Sequence, residues 1–348
     1  MKFDIFYQLP EAATQVTTDR YRELIAEAAE ADRLGFNTVW LAEVHFAPRF
    51  STLPTPLLLL AAIAERTNKL RLGTAVNLMP LHQPLRLAEE IATLDVISNG
   101  RVEFGAGRGA FLLNYRGYGV DMIASRALFA ENLELVKQAW TEGRLTFHGE
   151  HFNVENIEVV PKPLQKPHPP IRLAANSPDT FTFAGEHGYP IFAGGPVNPI
   201  PTLGERLEIY KSALAKAGKK APEDWLAAAL MVQVGRDRAS VRAVIEPSLQ
   251  HYFHSVGEII EPEGPSPAQQ AQFKAMQDRL RAVPYETVDT TMGIFGDPQY
   301  CIDRIAELRE RFNFSRLVCW FEVGGQSGHR NVIDSMRLFA EKVMPKFS

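Results

Sequence analysis

The amino-acid sequence predicts an α/β protein of the (β/α)8 TIM-barrel class, with a hairpin insertion after helix 4 and a long insertion between strands 7 and 8. Two observations carry this expectation. Eight apolar, β-prone runs alternate with helix-patterned segments along 348 residues, with no fixed-period repeat of sequence. Within residues 70–109, two apolar runs flank a proline-bounded amphipathic segment, a crossover that makes its two strands parallel neighbours in one sheet.

Residues 3–7 read as the first strand. The helix that follows, 21–34, has Thr17, Thr18 and Asp19 as start signals and Gly35 as its stop. The second strand, 38–42, runs directly into Glu43-Val44-His45-Phe46. After a proline-marked loop come a helix at 57–66, a third strand at 70–76 and a helix at 84–97 with Leu87, Ile91 and Leu94 on one stripe. The fourth strand, 102–109, ends among glycines, and a helix at 125–142 completes the fourth repeat. Residues 146–152 alternate around Gly149 as a hairpin does. Strands five and six follow at 171–175 and 190–193, with helices at 179–187 and 202–217. The seventh strand is 227–235, and a helix starts at Ala239. From about residue 250 to 293 the pattern is irregular, with four prolines and a polar helix candidate at 267–281; long segments of this kind often cover a site. A helix at 298–312, an eighth strand at 316–322 and a helix at 332–343 close the chain. All of this is read as one domain, residues 1–348.

Composition narrows the function. A formal net charge of -4 with 22% charged residues carries no basic excess, which argues against nucleic acid as a partner. The longest apolar stretch, 56–64, is too short for a membrane helix, and the acidic residue within the first apolar run argues against a signal peptide, so a cytoplasmic location is expected. Cys301 and Cys319 lie in apolar patterns and are expected to be buried, reduced thiols. Of nine histidines, the pairs His148/His151 and His251/His254 have ligand-like spacing without a supporting carboxylate or thiol cluster, so no metal site is expected.

In a barrel of this kind, chemistry belongs at the C-terminal strand ends. The candidates there are Glu43 and His45 after strand two, Asn77 and His82 after three, Arg108 after four, and Asn176 and Ser177 after five. Ser177-Pro178 reads as a helix start, whose free N–H groups make an anion site; Arg108, after the adjacent strand, supplies a guanidinium for the same anion. Gly105, Gly107 and Gly109 lack the full spacing of a dinucleotide fingerprint.

At these residues the sequence resembles the bacterial luciferase-like flavin-dependent monooxygenases. The likeness is densest in 35–46 (GFNTVWLAEVHF), in 72–119 with its GTA, GR.EFGAGRG and YRGYG segments, and in 174–188 (AANSPDTFTFAGEHG). It implies a similar barrel that binds FMN, or the deazaflavin F420, at the strand ends. By resemblance Arg108, Ser177 and Thr180 hold the flavin phosphate with Asn176 beside them, Ala75 and Val76 share a cis peptide beneath the ring, and Glu43 lies near the ring. Gly107 matches a position where luciferases carry cysteine, and glycine there implies more room. Val44 departs from the family's Glu-His-His-Phe at the histidine assigned the acid–base role, so that role passes to His45 or another group.

The function this implies is oxygenation of a small apolar organic substrate by O2, with reduced FMN supplied by a separate reductase. The alternatives are an F420- or flavin-linked dehydrogenase on the same barrel and a flavin-binding protein without turnover. The resemblance further implies a homodimer through the helices near 54–66 and 84–98, and residues after Gln250, including Tyr252 and Phe253, are candidates for a cover over the site.

Overall fold

The computed structural model describes residues 1–11, 16–260 and 266–347. Eight parallel strands close on themselves: β1 (Lys2–Tyr7), β2 (Thr38–Leu41), β3 (Arg71–Thr74), β4 (Val102–Gly107), β5 (Ile171–Ala174), β6 (Ile191–Gly194), β7 (Leu226–Val234) and β8 (Arg316–Trp320). Closure is visible in the register, where Arg316 lies opposite both Lys2 of β1 and Ala227 of β7. The surrounding helices are α1 (Thr17–Leu34), α2 (Pro56–Ala64), α3 (Pro84–Ile97), α4 (Ser125–Thr141), α5 (Pro178–His187), α6 (Ile200–Lys216), α7 (Pro298–Phe312) and α8 (His329–Lys342). The expected hairpin forms from Leu145–His148 and Asn153–Ile157. Among the described residues, no helix is long and apolar enough to cross a membrane.

Strand alternation sorts the side chains. Ile5, Val39, Leu317 and Cys319 point outward into the apolar layer beneath the helices. Trp40, Phe192, Ala227 and Val318 pack together inside the barrel. Below them the interior is ionic. Arg316 binds Asp4 of β1 at 2.8 Å, Glu103 of β4 at 3.3 Å and Asp224, just before β7, at 2.9 Å; Trp40 donates to the same Asp4 oxygen at 2.8 Å. Arg172 of β5 reaches Asp224 at 3.1 Å. Both cysteines are free and buried, and burial pushes the Cys301 thiol up to about 12.

Two parts of the chain differ from the sequence reading. Between 250 and 293 the described residues lie largely in helices, Arg238–Ile259, Pro267–Arg281 and Tyr285–Thr291, followed by a short strand, Gly293–Gly296, paired with the end of β7. The helix starting near Ala239 and the candidate at 267–281 both form; what the sequence reading missed is the run of the first past Pro247 to Ile259, and the short elements Tyr285–Thr291 and Gly293–Gly296. That first helix lies across the strand C-terminal mouth: Ser248 meets Ser327 after β8 at 3.0 Å, and Glu258 pairs with Arg49 after β2 at 2.7 Å. The helix Leu112–Tyr118, after β4, also lacks a sequence signal, being too short for a periodic stripe.

Two predictions follow from these contacts. Arg316→Met strands three carboxylates in the barrel floor and is expected to lower unfolding free energy by about 3–5 kcal/mol, read by urea denaturation. At the junction of α1 and α8, Glu27 accepts from His329 Nδ1 at 2.7 Å, and this hydrogen bond raises the histidine's pKa against a smaller effect of burial. A raised histidine stabilises the fold fully below its unfolded pKa and loses that contribution as pH rises through its folded value. His329→Gln should therefore melt below the parent at about pH 6, with the gap closing by about pH 9.

Candidate active site

The chain leaving β2 splits its side chains between two environments. Val44 is buried in an apolar cluster with Phe50, Met231, Tyr252 and Trp320. Glu43 and His45 turn away from it and meet each other. The Glu43 carboxylate accepts from His45 Nε2 at 2.9 Å, from His82 Nε2 at 2.8 and 2.9 Å, and from the Leu78 N–H at 3.1 Å. Burial alone would raise its pKa; the two imidazoles and the amide outweigh that and hold it below the ordinary carboxylate range. Burial lowers His82, but its contacts with Glu43 outweigh this and raise it. His45 Nδ1 meets the Tyr118 hydroxyl at 3.1 Å, so both of its ring nitrogens are engaged.

The YRGYG segment is explained by this arrangement. Tyr115 donates its hydroxyl to the Arg108 carbonyl, tying the loop after β4. A Cβ on Gly117 would lie 2.1 Å from the Phe46 ring, so only glycine lets that ring pack there. Tyr118 reaches His45, and Gly119 ends the helix at φ 67°. Phe46 itself has φ 61°, an uncommon conformation for a bulky residue, at the turn that delivers His45 to Glu43.

On the other side of the mouth, β4 and β5 are neighbours and end in Arg108 and Asn176-Ser177. Among the described residues the Arg108 side chain makes no ion pair or hydrogen bond. Ser177 occupies the N-cap of α5, yet its hydroxyl meets Thr180 Oγ1 at 3.0 Å and makes no side-chain cap bond to the helix backbone. Asn176 is exposed at the same turn. An uncommitted guanidinium, two hydroxyls and a helix N-terminus form a donor set that fits a phosphate. Between this corner and Glu43, the strand ends carry small residues, Ala75, Gly107 and Ala174, and the Ala75–Val76 peptide is cis. One expectation is corrected here. Gly107 does not open extra space, because a Cβ at that position would lie 2.4 Å from Val76 Cγ2: the valine already fills it. The result is a low shelf that fits a flat ring.

Facing the shelf is an aromatic wall. Phe6 packs on Trp320 with centroids 5.2 Å apart, Trp320 on Tyr252 at 5.1 Å, Tyr252 on Phe50 at 5.7 Å and Phe50 on Phe111 at 5.5 Å. Tyr252 and Phe253, read from sequence as cover residues, sit on the helix that crosses the mouth. Phe6, Phe50, Phe111 and Trp320 were not singled out by the sequence, because single aromatics on separate strands and loops carry no spacing signal. Gln233 is a further addition. It shares the inward parity of Ala227 and Met231 on β7, is 4% exposed, and its Oε1 has no hydrogen-bond partner. The two histidine pairs lie elsewhere, His148 against Glu155 on the hairpin and His251 at the Arg49 carbonyl. Among the described residues, no three His, Cys, Asp or Glu side chains converge as a metal site.

Comparison with known proteins agrees with this geometry. The family model described as luciferase-like monooxygenase matches residues 1–313. The chain is 28% identical to the alkanal monooxygenase alpha chain of Photorhabdus luminescens, over 99% of this chain and 96% of that protein. It is also 28% identical to the oxygenase component of the flavin-dependent trigonelline monooxygenase of Acinetobacter baylyi, over 100% and 96% of the two chains. The crystal structure of monooxygenase RslO1 from Streptomyces bottropensis superposes with a TM-score of 0.85 at 25% identity, covering 100% of both chains. The chain belongs to the luciferase-like monooxygenase family.

Proposed function

We propose that this protein is the oxygenase component of a two-component system, taking reduced FMN from a separate reductase and using O2 to oxygenate a small, largely apolar substrate. The observation that carries the reading is the mouth's division into a phosphate corner, a small-residue shelf and an aromatic wall. When bound, the flavin supplies the oxygen-activating chemistry. The protein's part is placement, desolvation and proton control. Arg108 with Ser177 and Thr180 would hold the phosphate, with Asn176 beside them, and Ala75, Val76 and Gly107 would form the shelf for the ring. Glu43 orients His45, which holds a proton at Nε2 beside the shelf. Val44 joins the aromatic wall, and the helix Arg238–Ile259 excludes water above it. Gln233 offers the substrate one neutral hydrogen-bonding partner at the top of that wall.

A homodimer through α2 and α3 belongs to the same proposal. These helices pack together, and Leu58, Val96 and Ile97 on them are 73%, 43% and 48% exposed, apolar side chains open to a second copy.

Anaerobic titration of the purified protein with reduced FMN and, separately, with reduced F420 tests the cofactor. Saturable binding of reduced FMN is expected, and Arg108→Ala should weaken it roughly 10- to 100-fold, the loss of a charged hydrogen-bonding group worth about 1.5–3 kcal/mol. F420 binding in place of FMN would turn the reading to a dehydrogenase. Admitting O2 with a panel of small ketones, aldehydes and hydrocarbons then tests the reaction: a product heavier by one oxygen atom supports the oxygenase. FMN binding with reoxidation and no oxygenated product from any of them would leave a flavin-binding protein.

A further inference from the structure

A buried charged cluster lies outside the mouth, between α1, α8 and the segment that leaves β8. Glu322 is 1% exposed and Arg20 is 3% exposed. Arg20 Nη2 stands 3.0 Å from Glu322 Oε1, an ion pair without hydrogen-bond geometry, while Arg20 Nη1 donates to Glu23 at 2.7 Å. Among the described residues Glu322 Oε2 has no hydrogen-bond partner. The main chain of the same residue is committed elsewhere. Its carbonyl accepts the Trp320 indole N–H at 2.8 Å, and Trp320 is the β8 member of the aromatic wall. Further along the segment, the Gln326 N–H donates to Ser248 Oγ at 3.0 Å, and a Cβ on Gly324 would lie 2.0 Å from the Ser248 carbonyl oxygen, so the chain is packed hard against the crossing helix. One residue therefore has its side chain on a charge outside the barrel and its carbonyl on the wall at the mouth.

We propose that Glu322 is a positioning residue for the aromatic wall: the pull of Arg20 on its carboxylate sets, through the Glu322 carbonyl, where the Trp320 indole stands at the mouth. A buried carboxylate with a single ion-pair contact is poorly compensated for its lost hydration, so a change in its charge changes the force on it more than it would on a fully hydrogen-bonded one. The resulting shift is passed on rather than absorbed, because the segment already rests against Ser248 on its other side. Ionised, the carboxylate is drawn to Arg20; neutral, it leaves the guanidinium to Glu23. Burial pushes the Glu322 carboxyl up to about 8; Arg20 opposes this, and Glu27 and Glu23 add to it. The groups that face it are Arg20, Glu23 and Glu27 of α1, His329 of α8, bound to Glu27 at 2.7 Å, and the Tyr7 hydroxyl of β1. The wall and the helix above it thus answer to one charge buried outside the barrel.

The use of this device in turnover rests on the oxygenase reading, so its test is done without flavin and the two can fail separately. Protein labelled with 5-fluorotryptophan gives four 19F resonances, from Trp40, Trp140, Trp225 and Trp320, and the one lost in Trp320→Phe belongs to the wall. Between about pH 6.5 and about pH 9.5, the Trp320 resonance is expected to move through one inflection near about 8, while those of Trp140 and Trp225 report an unchanged fold. In Glu322→Gln it should hold one position across the range, close to the parent's low-pH position, because a neutral amide stands in for the protonated acid. In His329→Gln, which removes the neighbouring histidine, the inflection should survive. A Trp320 resonance that does not move with pH, or an inflection that survives Glu322→Gln or disappears in His329→Gln, would overturn the proposal. If Glu322→Gln does not fold, the parent and His329→Gln profiles decide it. A Glu322 that merely fills space predicts the unmoving resonance.

Discussion

The Arg316 guanidinium is the interaction on which the barrel depends. One planar group on β8 meets carboxylates from β1, from β4 and from the approach to β7, and so ties the closing strand to members on both sides and across the floor. Removing these charges from water is costly, and the arrangement is tolerable because the acceptors converge on one multivalent donor and Trp40 and Arg172 each add a second donor to an oxygen that Arg316 already binds, on Asp4 and on Asp224. A floor of this kind fills the lower barrel with polar contacts. Above it, Trp40, Phe192 and Val318 seal the interior from below. The mouth is left as the place where side chains need not pack for stability.

The mouth is asymmetric for the same reason. Strands β3, β4 and β5 end in small residues, whereas the last inward-facing residues of β1 and β8 are Phe6 and Trp320, with Phe50, Phe111 and Tyr252 added from outside the barrel. A flat ligand and an apolar partner can therefore lie side by side, one on the shelf and one against the wall. The helix Arg238–Ile259 completes the enclosure because it is tied at its middle to the loop after β8 and near its C-terminal end to the loop after β2.

Val44 is part of this division. A valine belongs to the aromatic wall, and proton-handling groups are confined to the other face of the same segment, where Glu43 gathers two imidazoles. Two residues apart in sequence, Glu43 and His45 share that face, and the left-handed turn at Phe46 holds them there.

Much of this was legible in the chain. Alternation of strands and helices determined the barrel, since a parallel strand requires a crossover and eight such units close. The glycines after β4 and the Ser177-Pro178 helix start marked the anion corner, because capping and close backbone approach demand particular residues locally. What spans several loops was not legible. His82 was one candidate among seven strand-end residues until the fold laid it on Glu43, and Tyr118 was only a letter in a motif until its helix met His45. The aromatic wall draws single residues from β1, β8, two loops and the long insertion, and Gln233 owes its buried position to the parity of β7. Spacing along a chain records contacts within a helix or a turn; contacts between the ends of different strands exist only once the barrel has closed, and there the tertiary structure alone decided.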